Sequence, residues 1–201
     1  MITGPKYKIA RRLGAPIFEK TQTQKYALNL EKKGKKKFSG PKSEFATQMN
    51  EKQKARFIYG LSERQFSNYV KSILDKKVSN VAQTIFEALE LRLDNIIYRL
   101  GFSPTRAGAR QMVSHGHISV NGKKVNTPGM RFKTGDKIEI TTRSQNKTLF
   151  KDMNERIMGN TTPAWLKLDS NKRSAEVIGV PTYSKTENMF DLNTVVEFYS
   201  R

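Results

Sequence analysis

The 201-residue sequence contains no cysteine. Disulfides and any zinc centre built on thiolates are therefore excluded, which suits a reducing compartment. Histidine is nearly absent too, with only His115 and His117, and a structural metal centre needs about four ligands in a tetrahedral array. Acidic residues are scarce: 18 Asp and Glu stand against 37 Lys and Arg, a net charge of +19. Such a chain repels itself until a polyanion neutralises it, and nucleic acid is the usual polyanion. Long apolar runs are missing as well. None approaches the roughly 20 residues that span a bilayer, and the N-terminus has no apolar signal core, so a soluble protein is expected. With 36% hydrophobic residues the chain can build a core, though a thin one, and its length allows one or two domains.

The positive charge is concentrated. Residues 1–60 carry 15 basic and 4 acidic groups and residues 92–143 carry 10 and 3, whereas 61–91 balance at 4 and 4 and 144–201 nearly balance at 8 and 7. The first 43 residues are rich in Lys, Gly, Pro and Thr and show little sustained periodicity, which predicts a largely extended basic arm with a short helical turn near Ile9 to Leu13. A run such as Lys35, Lys36 and Lys37 could be an ordinary solvated loop. Beside the Lys6, Lys8, Arg11 and Arg12 cluster it reads better as part of a phosphate-binding arm, since each neutralised phosphate releases condensed counterions.

From Ser43 the pattern turns helical. Phe45, Met49, Phe57 and Ile58 mark one helix that ends at Gly60. Ser62 with Gln65 forms a capping-box signature opening a second, with Phe66, Tyr69, Val70, Ile73 and Leu74 at helical spacing. A third helix is expected to run from Ser79 to Gly101 through Val81, Ile85, Leu89, Leu93, Ile96, Ile97 and Leu100, leaving Arg92, Asn95 and Arg99 on its other side. These stripes are core. Ser103 and Pro104 then open a further helix bearing Arg106 and Arg110 four residues apart on one face.

Beyond Gly116, Ile118 and Val120 alternate with Ser119, and Asn121-Gly122 is a strong hairpin signal because both residues tolerate the positive φ of a type I′ turn. Lys123 and Lys124 begin the return strand, and Ile138 and Ile140 supply another. The unit reads as a helical hairpin packed on a small sheet, within an α+β chain.

The segment RLDNIIYRLGFSPTRAGARQMVSHGHISVNGKKV resembles the RNA-binding domain named after small-subunit ribosomal protein S-four. EKQKARFIYGLSERQF, LELRLDN, the early ARRLG and the closing VVEFYSR are similar to the rest of that ribosomal family, bacterial-type or organellar. The resemblance implies a basic arm at 1–43, a helical domain at 44–91 completed by the C-terminal end, the RNA-binding domain at 92–143, and a helix with short strands at 144–201 packing back on the other domains. It also implies a non-enzymatic constituent of the small subunit that binds ribosomal RNA at a helix junction early in assembly. Such a protein lies beside neighbouring small-subunit proteins, near where messenger RNA enters, in the cytoplasm or a plastid stroma. No cofactor, membrane or small-molecule substrate is implied. Many relatives carry a four-cysteine zinc knuckle in the arm; this chain has none, so zinc is left out. The segment before the first long helix is altered to residues 39–43, Ser-Gly-Pro-Lys-Ser.

On that basis the candidate RNA contacts are Lys6, Lys8, Arg11, Arg12, Lys35, Lys36, Lys37, Lys52, Lys54, Arg56, Arg64, Arg92, Arg99, Arg106, Arg110, His115, His117, Asn121, Lys123 and Lys124. The two histidines could instead form a metal site, an acid/base pair or a helix cap; too few ligands and no oriented carboxylate count against the first two. Two rival functions compete with this one. Arg92-Leu93-Asp94 spells the catalytic motif of pseudouridine synthases that carry this domain, but there it belongs to a larger catalytic domain. The 92–115 hairpin could also act as a DNA-reading helix-turn-helix. The basic arm and hairpin strands fit RNA better, whose hidden major groove leaves backbone shape, 2′-hydroxyls and exposed bases to be read.

Overall fold

The structure, a computed structural model, describes residues 4–32, 43–145, 147–169 and 173–200. In chain order its helices are α1 (Lys6–Leu13), α2 (Gln24–Lys32), α3 (Glu44–Ile58), α4 (Glu63–Leu74), α5 (Val81–Glu90), α6 (Leu93–Arg99), α7 (Arg106–Ser114), α8 (Met153–Met158) and α9 (Leu192–Tyr199). The strands are β1 (Ile118–Val120), β2 (Lys123–Val125), β3 (Lys137–Ile140), β4 (Leu166–Asp169) and β5 (Ser174–Val177). The described chain is thus α+β. It divides into two compact units, one of residues up to Ile85 with those from Tyr183 onward, the other Phe86–Thr182.

In the first unit α1 buries Ala10 and Leu13, which cluster with Ile17, Phe18 and Phe57; the Phe18 and Phe57 rings meet edge to face at 6.0 Å. The N-terminal segment is therefore more helical than its local pattern suggests. The anchor of α1 is Phe57, more than forty positions away, and local periodicity cannot report it. α2 buries no side chain and is built mostly of good helix formers, with Tyr26 stacked on Tyr7 at 5.4 Å. Lys35, Lys36 and Lys37 lie outside the described residues.

Ser43 caps α3 by accepting from the Ala46 N–H at 3.2 Å. The chain leaves α3 through Gly60 at φ 64°, a left-handed position glycine takes without strain. The expected capping box is present at α4: the Gln65 N–H donates to Ser62 Oγ at 3.2 Å while Gln65 Oε1 accepts from the Ser62 N–H at 3.3 Å. Phe66, Val70 and Ile73 of α4 are buried. α9 lies along α3, bringing Phe198 to 5.7 Å from Phe45 and Glu197 within 3.4 Å of Gln48.

In the second unit α6 and α7 pack on one sheet of order β2-β1-β3-β5-β4, antiparallel throughout. The register pairs Ile118 with Ile140 and Val120 with Ile138. These side chains share one face and meet Leu93, Ile96, Ile97, Leu100, Met112, Val113 and Phe150 in the core. Fully burying each such side chain stabilises by about 1.5–3 kcal/mol.

Two boundaries differ from expectation. The single helix expected from Ser79 to Gly101 is broken: α5 ends at Glu90, and Arg92 is extended at φ −80°, ψ 140° before α6 starts. Here Arg92 bridges to Arg131. The Leu93 and Asp94 N–H groups donate to Met130 and Pro128 carbonyls at 2.9 and 3.0 Å, and Phe132 N–H donates to Leu91 O at 3.0 Å. A distant loop thus satisfies the free N–H groups that begin α6, so the break costs little although the apolar period runs straight through it. The second boundary is that of α7, which starts at Arg106 rather than Pro104. Thr105 is extended, φ −142°, ψ 150°, and its Oγ1, not that of Ser103, accepts from Gly108 N–H at 3.0 Å.

Candidate nucleic-acid interface

Around the break at Arg92 and the start of α7, three arginines converge on two carboxylates and a fourth, Arg106, is held through Asn95. Asp94, in the first turn of α6, accepts from Arg92 through Nε at 3.1 Å and Nη2 at 3.0 Å. Its Oδ2 also accepts from Arg110 Nε at 3.0 Å and Nη2 at 2.7 Å. One residue on, Asn95 donates to the Glu90 carbonyl and carboxylate at 3.0 and 2.9 Å, while its Oδ1 accepts from Arg106 Nε at 2.9 Å. Glu90 in turn holds Arg99 in a two-point grip, Nε at 2.9 Å and Nη2 at 2.7 Å. The Arg106 guanidinium also lies over the Tyr98 ring at 4.2 Å, a cation–π arrangement.

Four guanidiniums and two carboxylates leave this network with two surplus positive charges. Both carboxylates are buried, with side-chain exposures of 5% for Asp94 and 1% for Glu90, whereas Arg99 and Arg110 keep 33% and 29%. The network therefore presents cations outward on a base of hidden acids. Arg92 differs, since only 5% of its side chain is accessible; it fastens Asp94 from within the fold. Asp94, the residue that matches the catalytic letter of the synthase motif, is occupied by two guanidiniums.

The histidines separate. His115 is exposed and caps the C-terminal end of α7. His117 is buried: its Nδ1 lies 2.9 Å from Ser144 Oγ, which also accepts from Thr141 Oγ1 at 2.9 Å, and its ring meets Phe150 edge to face at 6.0 Å. Burial holds the His117 pKa below the ordinary imidazole value, and the nearby charges of Lys147, His115 and Lys124 act in the same direction. Among the described residues no group of three or more His, Asp or Glu is placed to hold a metal ion.

Asn121 sits at φ 49° and Gly122 at φ 77°, as a type I′ turn requires. The Asn121 side chain is engaged there, donating to Asp136 at 2.9 Å and accepting from the Lys137 N–H at 2.8 Å. It organises the hairpin tip, leaving Lys123 and Lys124 exposed on edge strand β2. Arg131, Lys133, Lys137, Arg143 and Lys147 are also exposed in this unit. Sequence reasoning did not pick them out, because they fall in loops and at strand ends, and the charge balance of 92–143 was the one signal that covered most of them.

In the first unit Lys8, Arg11, Arg12 and Arg64 are exposed, and Lys6 lies 5.6 Å from the Phe18 ring centre. Others are committed inward. Lys52 is buried, pairs with Glu63 at 2.7 Å and faces the Phe198 ring at 4.4 Å. Arg56 reaches the same Glu63 at 3.3 Å, and Lys54 pairs with Glu51 at 2.6 Å. No described helix is long and apolar enough to cross a membrane.

Comparison with known proteins matches two family models to the sequence. A model of the family described as ribosomal protein S4/S9 N-terminal domain matches residues 1–90, and one described as S4 domain matches residues 91–138. The chain is 37% identical to the small ribosomal subunit protein uS4 of Akkermansia muciniphila over 200 residues, covering 99% of this chain and 98% of the relative. It is 38% identical to the protein of the same name from Heliobacterium modesticaldum over 209 residues, with 99% and 98% covered. It is 44% identical to that of Fusobacterium nucleatum over 161 residues, with 79% and 80% covered. An S4 domain joined to this N-terminal domain, aligned end to end with such relatives, makes the chain a member of the uS4 family of small ribosomal subunit proteins.

Proposed function

We propose that the chain works as a non-catalytic constituent of the small ribosomal subunit that binds its RNA directly and early. It would hold a junction of RNA helices in one arrangement so that later proteins bind at lower entropic cost, beside neighbouring small-subunit proteins and near where messenger RNA enters. The observation that carries this reading is the outward-facing set of Arg99, Arg106 and Arg110 above buried Glu90 and Asp94. Arginine forks match phosphate and 2′-hydroxyl edges geometrically as well as by charge. Exposed Lys123, Lys124 and His115 extend that surface, and Lys6, Lys8, Arg11, Arg12 and Arg64 supply a second basic region. Lys35, Lys36 and Lys37 are assigned to it by charge alone. Arg92, Lys52, His117 and Asn121 support these surfaces from behind.

The test is filter binding to small-subunit ribosomal RNA, to an unstructured RNA of equal length and to duplex DNA, each across a salt series. Preference for the folded ribosomal RNA is expected, with a log-log salt slope of about −0.7 to −0.9 for each neutralised phosphate. Equal affinity for all three ligands would overturn the reading. Reconstitution of the subunit with and without the chain tests its early role: later proteins should fail to bind stably in its absence.

A further inference from the structure

The four arginines of this network could serve as a simple cationic patch, yet the fold commits two buried carboxylates to them. If charge alone drew RNA, Asp94 and Glu90 would be harmful, because each subtracts a unit from the attraction. Their geometry argues for another role. Asp94 accepts four N–H contacts, two from Arg92 and two from Arg110. Glu90 grips Arg99 at two points and, through Asn95, reaches Arg106. A guanidinium gripped on one edge loses rotamer freedom before RNA arrives, so the cost of fixing it is not incurred on binding.

We infer that Asp94 and Glu90 are positioning residues for RNA selectivity: they lock Arg99, Arg106 and Arg110 in one relative arrangement that fits the phosphate and 2′-hydroxyl spacing of a folded RNA and fits a generic polyanion poorly. This rests on the RNA-binding function proposed above. It goes further in predicting that removing negative charge makes specific binding worse.

Asp94→Asn keeps the size of the side chain while replacing one acceptor with an N–H₂ group that faces guanidinium donors; Glu90→Gln does the same for Arg99. Net charge rises by one in each. Binding to folded small-subunit ribosomal RNA and to heparin is measured at fixed salt, at a temperature where circular dichroism shows each variant folded. Losing one charge-assisted contact is worth about tenfold or more. Ribosomal RNA affinity should therefore fall by about tenfold or more, while heparin affinity stays level or rises. Arg110→Lys, at unchanged net charge and a partly exposed site, gives a second route should the buried variants fail to fold: it should lose ribosomal RNA affinity and retain heparin affinity.

A general electrostatic patch predicts the opposite sign, with tighter binding to both ligands for the two neutralised variants and no change for Arg110→Lys. That outcome, or a parallel loss for both ligands in the folded variants, overturns the inference. Failure of the underlying function is read separately, from the wild-type protein: if it does not prefer folded ribosomal RNA over heparin, the proposed function falls before any variant is compared.

Discussion

Replacing each histidine alone separates a buried structural imidazole from an exposed one. His117→Ala removes the partner of Ser144 Oγ at 2.9 Å and the ring that meets Phe150. A lost hydrogen bond between neutral groups costs about 0.5–1.5 kcal/mol net, with up to about 3 kcal/mol where the remaining group is left buried and unpaired. Here the penalty is softened, since Ser144 Oγ still accepts from Thr141. Adding the partial cavity left by the ring, the expected loss is about 2–4 kcal/mol. In a unit of roughly 100 residues, each kcal/mol lowers the melting temperature by about 4–8 °C, so a drop of about 8–32 °C is expected for the transition of Phe86–Thr182. His115→Ala, at an exposed helix end, should stay within about 0.5 kcal/mol. Calorimetry resolves the two cases. The sequence alone placed neither histidine in the core. If His117→Ala melts within 2 or so degrees of the parent, the Ser144 and Phe150 contacts contribute nothing and the structural assignment of this imidazole is wrong.

Acid should weaken the same unit. A His117 pKa held below the ordinary value means that, as pH falls below about 6.5, the unfolded chain takes a proton that the folded chain refuses. Stability contributed by this site is complete above that pH, declines as pH falls towards the folded pKa and levels off below it; a pH series of melting curves on wild type and His117→Asn should show this component only in the wild type. Lys52→Met should alter stability by no more than about 1 kcal/mol in either direction, because a thioether can fill the site against Phe198 and Glu63, 47% exposed, keeps Arg56 at 3.3 Å. The same variant should leave the salt slope of RNA binding unchanged, since the ammonium is buried. Asn121→Ala should cost about 1–2 kcal/mol in chemical denaturation, combining its positive φ with two lost side-chain hydrogen bonds; Asn121→Gly, which accepts the φ, should recover part of that loss.

Elements specified by contacts near in sequence were legible before the structure. The Ser62–Gln65 capping box, the Gly60 exit and the Asn121-Gly122 hairpin each depend on residues a few positions apart, and each occurs as expected. Features that depend on distant partners were less legible. The helical character of α1 is anchored by Phe57. The burial of His117 depends on Ser144 and Phe150, well downstream. Counting lysines and arginines also could not tell a surface cation from Lys52, whose neighbours Glu63 and Phe198 come from other elements.

The break between α5 and α6 joins these two lessons. By periodicity Leu89, Leu93, Ile96 and Ile97 belong to one helix, and in such a helix Arg92, Asn95 and Arg99 would line a single exposed flank. The loop at Pro128 to Phe132 instead captures the backbone at Leu91, Leu93 and Asp94, so Arg92 turns inward and Asp94 comes to lie in the first turn of α6. Only from that position does Asp94 reach both Arg92 and Arg110. A straight helix would have kept the charges and lost the buried acid that orders them. The backbone pairing with the 128–132 loop thus underlies the proposed binding surface, although it is made of main-chain hydrogen bonds. Shortening that loop should let the helix straighten and disperse the arginines while leaving the net charge untouched.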